Sequence, residues 1–262
     1  MQPGVSMSVS SQDPVSSLLE RPDAGWSLAV YPGAREAGGG FRSSYRPPHG
    51  VGVRGQAVDP ERSRAEAGRR ARGKLRRYGA QNRLNRFGTL TYEGAGCHDP
   101  REVRAHVGEF FRALREGTGG KAFPYIWVPE WHPGGHGLHV HFVVGDYIRQ
   151  GIIKKAWGRG FVSIKLIGDL GIGKGRLGEA RKAAGYISKY VAKSIDDDRP
   201  AGLHRYDLAE GFQPTSTVVR GRSADEVFAL ASEMFGADPS YRWSSAQVPD
   251  WRGGMAIWGQ WS

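Results

Sequence analysis

The stretch Phe123-Pro-Tyr-Ile-Trp-Val-Pro-Glu130-Trp-His-Pro-Gly-Gly135-His-Gly-Leu138-His139-Val-His141-Phe-Val-Val144 decides the fold. Phe123 to Glu130 is aromatic and β-branched, the composition of a strand. From Leu138 to Val144 the chain alternates. Leu138, Val140, Phe142 and Val144 point to one face, and His139 and His141 point together to the other. Trp131-His-Pro-Gly-Gly between the two runs is a hairpin connection. If the strands pair antiparallel, Glu130 shares the face of the two histidines. Two imidazoles and one carboxylate leave coordination positions open, as a catalytic metal requires. The oxygen ligand suits Mg2+ or Mn2+. His132 and His136, in the loop, are competing third ligands ranked below Glu130.

Working outward, Phe87-Gly-Thr-Leu-Thr-Tyr92 is a strand. Asp99-Pro100 opens a helix, with Asp99 at the N-cap, proline in the first turn and Glu102 at the capping-box spacing. Val103, Val107, Phe110, Phe111 and Leu114 form its apolar stripe, and Gly117 ends it. Tyr147 to Trp157 is predicted helical, Phe161 to Leu166 a strand, and Leu177 to Ser194 a helix. The order β-α-β-β-α-β plus a helix predicts an α+β fold: a ferredoxin-like split βαβ antiparallel sheet with flanking helices. Ala224 to Phe235 is a further predicted helix. Four tryptophans near the end, Trp243, Trp251, Trp258 and Trp261, find no place in this scheme.

The 262 residues carry a formal charge of +11 and 39 glycines, and Cys97 is the single cysteine. One cysteine excludes internal disulfides and a multi-cysteine zinc finger. No apolar run has the length of a membrane span and no secretory signal is evident, so a cytoplasmic setting without membrane attachment is expected. Between Glu61 and Arg86 ten basic residues face two acidic ones. Such a run suggests phosphate neutralisation on nucleic acid, with Arg69, Arg70, Arg72, Lys74, Arg76 and Arg77, and Lys182 further on, as DNA contacts. The expected organisation is a disordered Gly/Ser/Pro-rich tail over 1–60, a basic DNA-contacting arm over 61–86, a nuclease domain over 87–196, and a C-terminal extension of unassigned role over 197–262. The nuclease domain is expected to fold without the arm.

On the helix near residues 176–194, Leu177, Ala180, Ala184, Ile187 and Val191 recur at buried spacing. Lys182, Tyr186, Lys189 and Lys193 form a second stripe, with Tyr190 one turn beyond Tyr186. A tyrosine hydroxyl can attack a phosphodiester when cations stabilise the phenolate. A lone Tyr-x-x-Lys is better read as helix-edge packing; the doubled motif downstream of His-x-His is not. Gly168-Asp-Leu-Gly-Ile-Gly-Lys-Gly175 satisfies Gly-x-x-x-x-Gly-Lys but ends in glycine where a P-loop needs Ser or Thr, so it is read as a flexible loop.

Phe87 to Tyr92, Glu130 with His139-Val-His141, and Tyr186-Ile-Ser-Lys-Tyr190-Val-Ala-Lys193, in that order, resemble the three motifs of rolling-circle replication initiators of the HUH endonuclease superfamily. The doubled Tyr-x-x-Lys is similar to the two-tyrosine branch that includes phage gene A proteins. The resemblance covers about residues 87–194. It implies an HUH nuclease fold, a divalent metal on Glu130, His139 and His141, and a 5′-phosphotyrosine intermediate. Tyr186 and Tyr190 would be nucleophiles, with Tyr186 preferred for the first step, and Lys189 and Lys193 would assist at the phosphate. The expected partner is single-stranded or melted origin DNA in a bacterial host, with a host helicase and polymerase. A transposase or relaxase would share the chemistry, although relaxases usually place the tyrosines before the histidines. A non-catalytic DNA-binding regulator fits the basic run alone. A histidine-triad nucleotide hydrolase needs a third alternate histidine where Val143 stands.

Overall fold

The computed structural model describes residues 24–44, 57–168, 175–193 and 205–262. In chain order the elements are β1 (Gly25–Tyr31), β2 (Glu36–Arg42), α1 (Pro60–Gln81), β3 (Arg86–Tyr92), α2 (Pro100–Gly117), β4 (Tyr125–Trp131), β5 (Leu138–Val144), α3 (Gln150–Trp157), β6 (Gly160–Leu166), α4 (Gly175–Lys193), β7 (Asp207–Leu208), β8 (Thr217–Gly221), α5 (Ala224–Phe235), β9 (Tyr241–Ser244) and β10 (Ala256–Gln260). They form an α+β protein with two antiparallel five-stranded sheets, divided between two compact units. Among the described residues no helix is long and apolar enough to cross a membrane.

The larger unit holds the sheet β6-β3-β5-β4-β7. Its first four strands carry the order of a split βαβ sheet, and β7 extends the edge beside β4. The alternation in β5 divides the two faces. Leu138, Val140, Phe142 and Val144 pack with Val103, Val107, Phe110 and Leu114 of α2 and Ile153 and Trp157 of α3. On the opposite face Phe87, Ile126, Val128 and Val143 pack against Leu75 and Tyr78 of α1 and Ala183, Ile187 and Val191 of α4. Local signals start α2 as expected: the Asp99 side chain accepts from the Arg101 N–H and proline occupies the first turn.

Two expectations are corrected. The basic segment is not an appended arm: α1 runs from Pro60 to Gln81 and buries Ala71, Leu75 and Tyr78 in the nuclease unit's own core. A Cβ on Gly79 would stand 3.1 Å from the Ala184 Cβ, so glycine lets α1 lie close against α4. The second correction concerns residues 1–60, read as disordered, and 197–262, read as an appended extension. Residues 25–42 form β1 and β2, which join β8, β9 and β10 in the second sheet, ordered β8-β1-β2-β10-β9. Leu28, Val30, Val227, Phe228, Ile257 and Trp261 form its core against α5. The glycines of β2 are what obscured the strand. A Cβ on Gly39 would fall 1.9 Å from the Ser27 carbonyl oxygen, and one on Gly40 2.0 Å from that of Met255. Glycine here admits neighbouring backbone rather than marking a loop. Trp261 is fully buried and donates to the Ala237 carbonyl, while Trp243 and Trp258 pair across β9 and β10. Residues 1–23, and 169–174 of the glycine-rich segment, lie outside the described residues.

Candidate active site

The face of the nuclease sheet beneath α4 carries the predicted chemistry. In register, Thr89 on β3 stands beside His141 on β5, which stands beside Val128 on β4; one step along, His139 is directly opposite Glu130. Side-chain alternation then sets Thr89, His141, His139 and Glu130 on the same face as Phe87 and Val143. His141 is buried between two polar partners. Its Nε2 lies 2.8 Å from Oε2 of Glu130, and its Nδ1 lies 3.0 Å from Oγ1 of Thr89. A carboxylate can only accept, so Nε2–H donates to Glu130 and Nδ1 accepts the Thr89 hydroxyl.

His139 stands apart from that pair. Its Nε2 is buried and has no hydrogen-bond partner, and its ring stacks on His132 with centroids 4.5 Å apart. Burial, then the neighbouring His132, His141 and His136, hold its pKa below the usual imidazole range, with Glu130 opposing. A histidine kept neutral with an orphaned buried nitrogen, beside a histidine–carboxylate pair, is a donor set suited to a divalent cation. The other predicted competitor, His136, is turned to the backbone, with Nε2 3.2 Å from the Tyr92 carbonyl oxygen.

The tyrosines of α4 stand over the same face. The Tyr190 ring stacks on His141 with centroids 4.0 Å apart and donates its hydroxyl to that of Tyr186 at 3.2 Å. Tyr186 meets Phe87 edge-on at 4.8 Å. Burial, the hydrogen bond to Tyr186 and the charge of Glu130 raise the Tyr190 pKa, so its phenol is held protonated at rest. Two ammonium groups, from Lys189 and Lys165, each lie 5.8 Å from the Tyr186 ring centroid. The side chain of Lys193 lies outside the described residues.

Sequence reasoning missed Thr89, Phe87 and Lys165 as site residues. The signal lies in period 2: Phe87 and Thr89 alternate along β3 on the face that opposes His141, and Lys165 is paired with Phe87. It also missed a second ligand set. Cys97, Glu102 and His106 bring ligand atoms within 4.8 Å of one another. Cys97 packs in the α2–α3 core, on the other side of the sheet from His141, and the Tyr92 hydroxyl is 3.0 Å from His106 Nδ1.

The predicted DNA contacts sort by position. Arg69, Arg70, Arg72 and Lys74 are exposed on α1, while Arg76 and Arg77 are half-buried. Arg70 pairs with Glu66 at 3.7 Å. Lys182 is exposed and donates to the Gly168 carbonyl at 3.2 Å.

Residues 85–195 match the family model of the replication-associated protein ORF2. The matched segment, less than half of the chain, holds β3 through α4, including Glu130, both histidines and both tyrosines. The match supports a role as a replication initiator. No curated protein and no solved structure matches the chain.

Proposed function

We propose that this protein is a replication initiator that nicks and rejoins single-stranded DNA at an origin, through a 5′-phosphotyrosine intermediate, in rolling-circle replication of a plasmid or phage. One observation carries the reading: within the segment matched to the replication family, the Tyr190 ring lies 4.0 Å from a histidine whose Nε2 is 2.8 Å from a carboxylate. A divalent cation, Mg2+ or Mn2+, held by Glu130, His139 and His141, would supply charge that polarises the scissile phosphate.

The chain's own groups account for the rest. Thr89 fixes the His141 ring by its Nδ1 contact. Tyr190 is the first nucleophile in this reading, rather than Tyr186, because its ring lies against His141 while Tyr186 lies against Phe87. Its oxygen bonds to phosphorus, the P–O3′ bond breaks, and the phenol proton ends on the 3′ oxygen or in water. Lys189 and Lys165 favour the phenolate that attack requires. The freed 3′-hydroxyl primes synthesis by host helicase and polymerase. Tyr186, hydrogen-bonded to Tyr190, takes the strand in the second transfer. The exposed cations of α1, with Lys182, steer the DNA backbone.

A labelled single-stranded origin fragment incubated with Mn2+ and resolved on a denaturing gel tests this. Cleavage that chelator and His141→Ala both abolish is expected. Undiminished cleavage by His141→Ala in the presence of chelator removes the metal assignment.

A further inference from the structure

A cleft of about 540 Å³ opens in the nuclease unit between α1, the end of α4 and the segment around β7. Its polar lining is Arg64, Arg70, Lys74 and Arg205, with Asp207 and Glu210 as the acids. The imbalance is larger than four to two, because Asp207 is already paired with Arg104 at 2.8 Å. Two further features point to a ligand. Nη1 of Arg205 is buried with no hydrogen-bond partner. The half-buried Tyr206 ring lies in the wall with the Lys74 ammonium 5.9 Å from its centroid. Ala67, Ala71, Val191 and Leu208 complete an apolar floor.

Cations that outnumber acids answer a phosphate; an aromatic ring above a floor of small apolar side chains answers a flat base. The volume falls in the range of small-ligand pockets and far below that of a duplex groove. Val191 follows Tyr190 on α4, so the cleft opens off the helix that carries the tyrosines. We propose that this cleft binds a single unpaired nucleotide, base against Tyr206 and phosphate against Lys74 and Arg205. The inference rests on the reading of the chain as a single-strand DNA enzyme. Within that reading, the occupant is a base swung out of the bound strand, which fixes the strand's register.

The test uses the full chain with Tyr186→Phe and Tyr190→Phe and with chelator present, so that nicking does not enter. Binding of a fluorescent single-stranded oligonucleotide is measured by anisotropy across salt, and a 2-aminopurine scan reports which base is stacked. Tyr206→Ala is expected to weaken binding about tenfold without changing the salt slope, and to abolish quenching at one position. Tyr206→Phe, which keeps the ring, is expected to restore both. Lys74→Ala should lower the salt slope by about 0.7. Deoxynucleoside monophosphates are titrated in parallel. Tyr206-dependent saturation by a monophosphate, with no effect on the oligonucleotide, supports the pocket but assigns it to free nucleotide. Unchanged affinity and unchanged quenching in Tyr206→Ala, in a variant whose thermal unfolding matches the parent, overturn the pocket while leaving the nicking reaction to its own assay. If the parent binds neither probe, the pocket is also overturned.

Discussion

Thr89→Val is the substitution that most finely separates the histidine's orientation from its presence. Valine keeps the β-branched shape on β3 and removes the hydroxyl that lies 3.0 Å from His141 Nδ1. That nitrogen is part of a buried residue, so losing its partner costs about 1–3 kcal/mol. The ring is then held only by the Glu130 contact on its other side. If ring orientation is what makes Nε2 a ligand, the loss appears as weaker metal binding. At 1.4 kcal/mol per decade it amounts to roughly tenfold or more, within the range for partners one step removed from a metal. The assay is the nicking rate as a function of Mn2+ concentration, with isothermal calorimetry of the metal alone. The half-saturating concentration should rise at least about tenfold while the plateau rate falls much less. Thermal unfolding without metal should drop by only about 2–4 °C per kcal/mol lost. A metal titration that superimposes on the wild type, in a variant with normal unfolding, refutes the positioning role of Thr89.

Three further outcomes follow from packing and charge. Tyr78 is fully buried and donates to the Ala209 carbonyl at 2.9 Å, so Tyr78→Phe should cost about 1–2 kcal/mol by urea denaturation at neutral pH. Burial raises the Tyr78 pKa above its unfolded value near 10; its contribution is therefore complete below about pH 10 and lost above it, and the Phe variant should lose less stability over that window. Replacing the exposed Arg69, Arg70, Arg72 and Lys74 together by Gln should reduce the slope of log affinity against log salt by up to about 0.7 per contact on single-stranded DNA, whereas an unchanged slope would take α1 out of the interface. Gly79→Val, forced against Ala184, should destabilise the nuclease unit by about 1–3 kcal/mol, and wild-type stability would show that α1 does not need its close approach to α4.

What the sequence made legible was local. Capping at Asp99, alternation in β5 and the spacing of α2 are written in neighbouring residues, and the elements stand where those signals put them. The His–Glu pair was readable because Glu130 and His139 flank one hairpin, so a short loop fixes their register. The second sheet was not readable, because β1 and β2 find β8 and β10 across nearly the whole chain and because Gly38, Gly39 and Gly40 mimic linker composition inside a strand. The role of α1 was obscured by its charge. Its buried residues include Gly68, Gly79 and two alanines beside Leu75 and Tyr78, a weak apolar stripe whose need is visible only once α4 is placed against it. Thr89 escaped notice for a similar reason: a threonine in a strand is ordinary until the residue across the ladder is known to be His141.

The central claim is that a tyrosine of α4 becomes covalently joined to DNA. Full-length protein incubated with Mn2+ and a single-stranded origin oligonucleotide, then digested and mapped by tandem mass spectrometry, measures this directly. The account predicts a 5′-phosphodeoxynucleotide on Tyr190, on Tyr186 when Tyr190 is Phe, and none in the Tyr186→Phe/Tyr190→Phe double variant. An adduct that persists in the double variant, or one mapped to Tyr92, would contradict it.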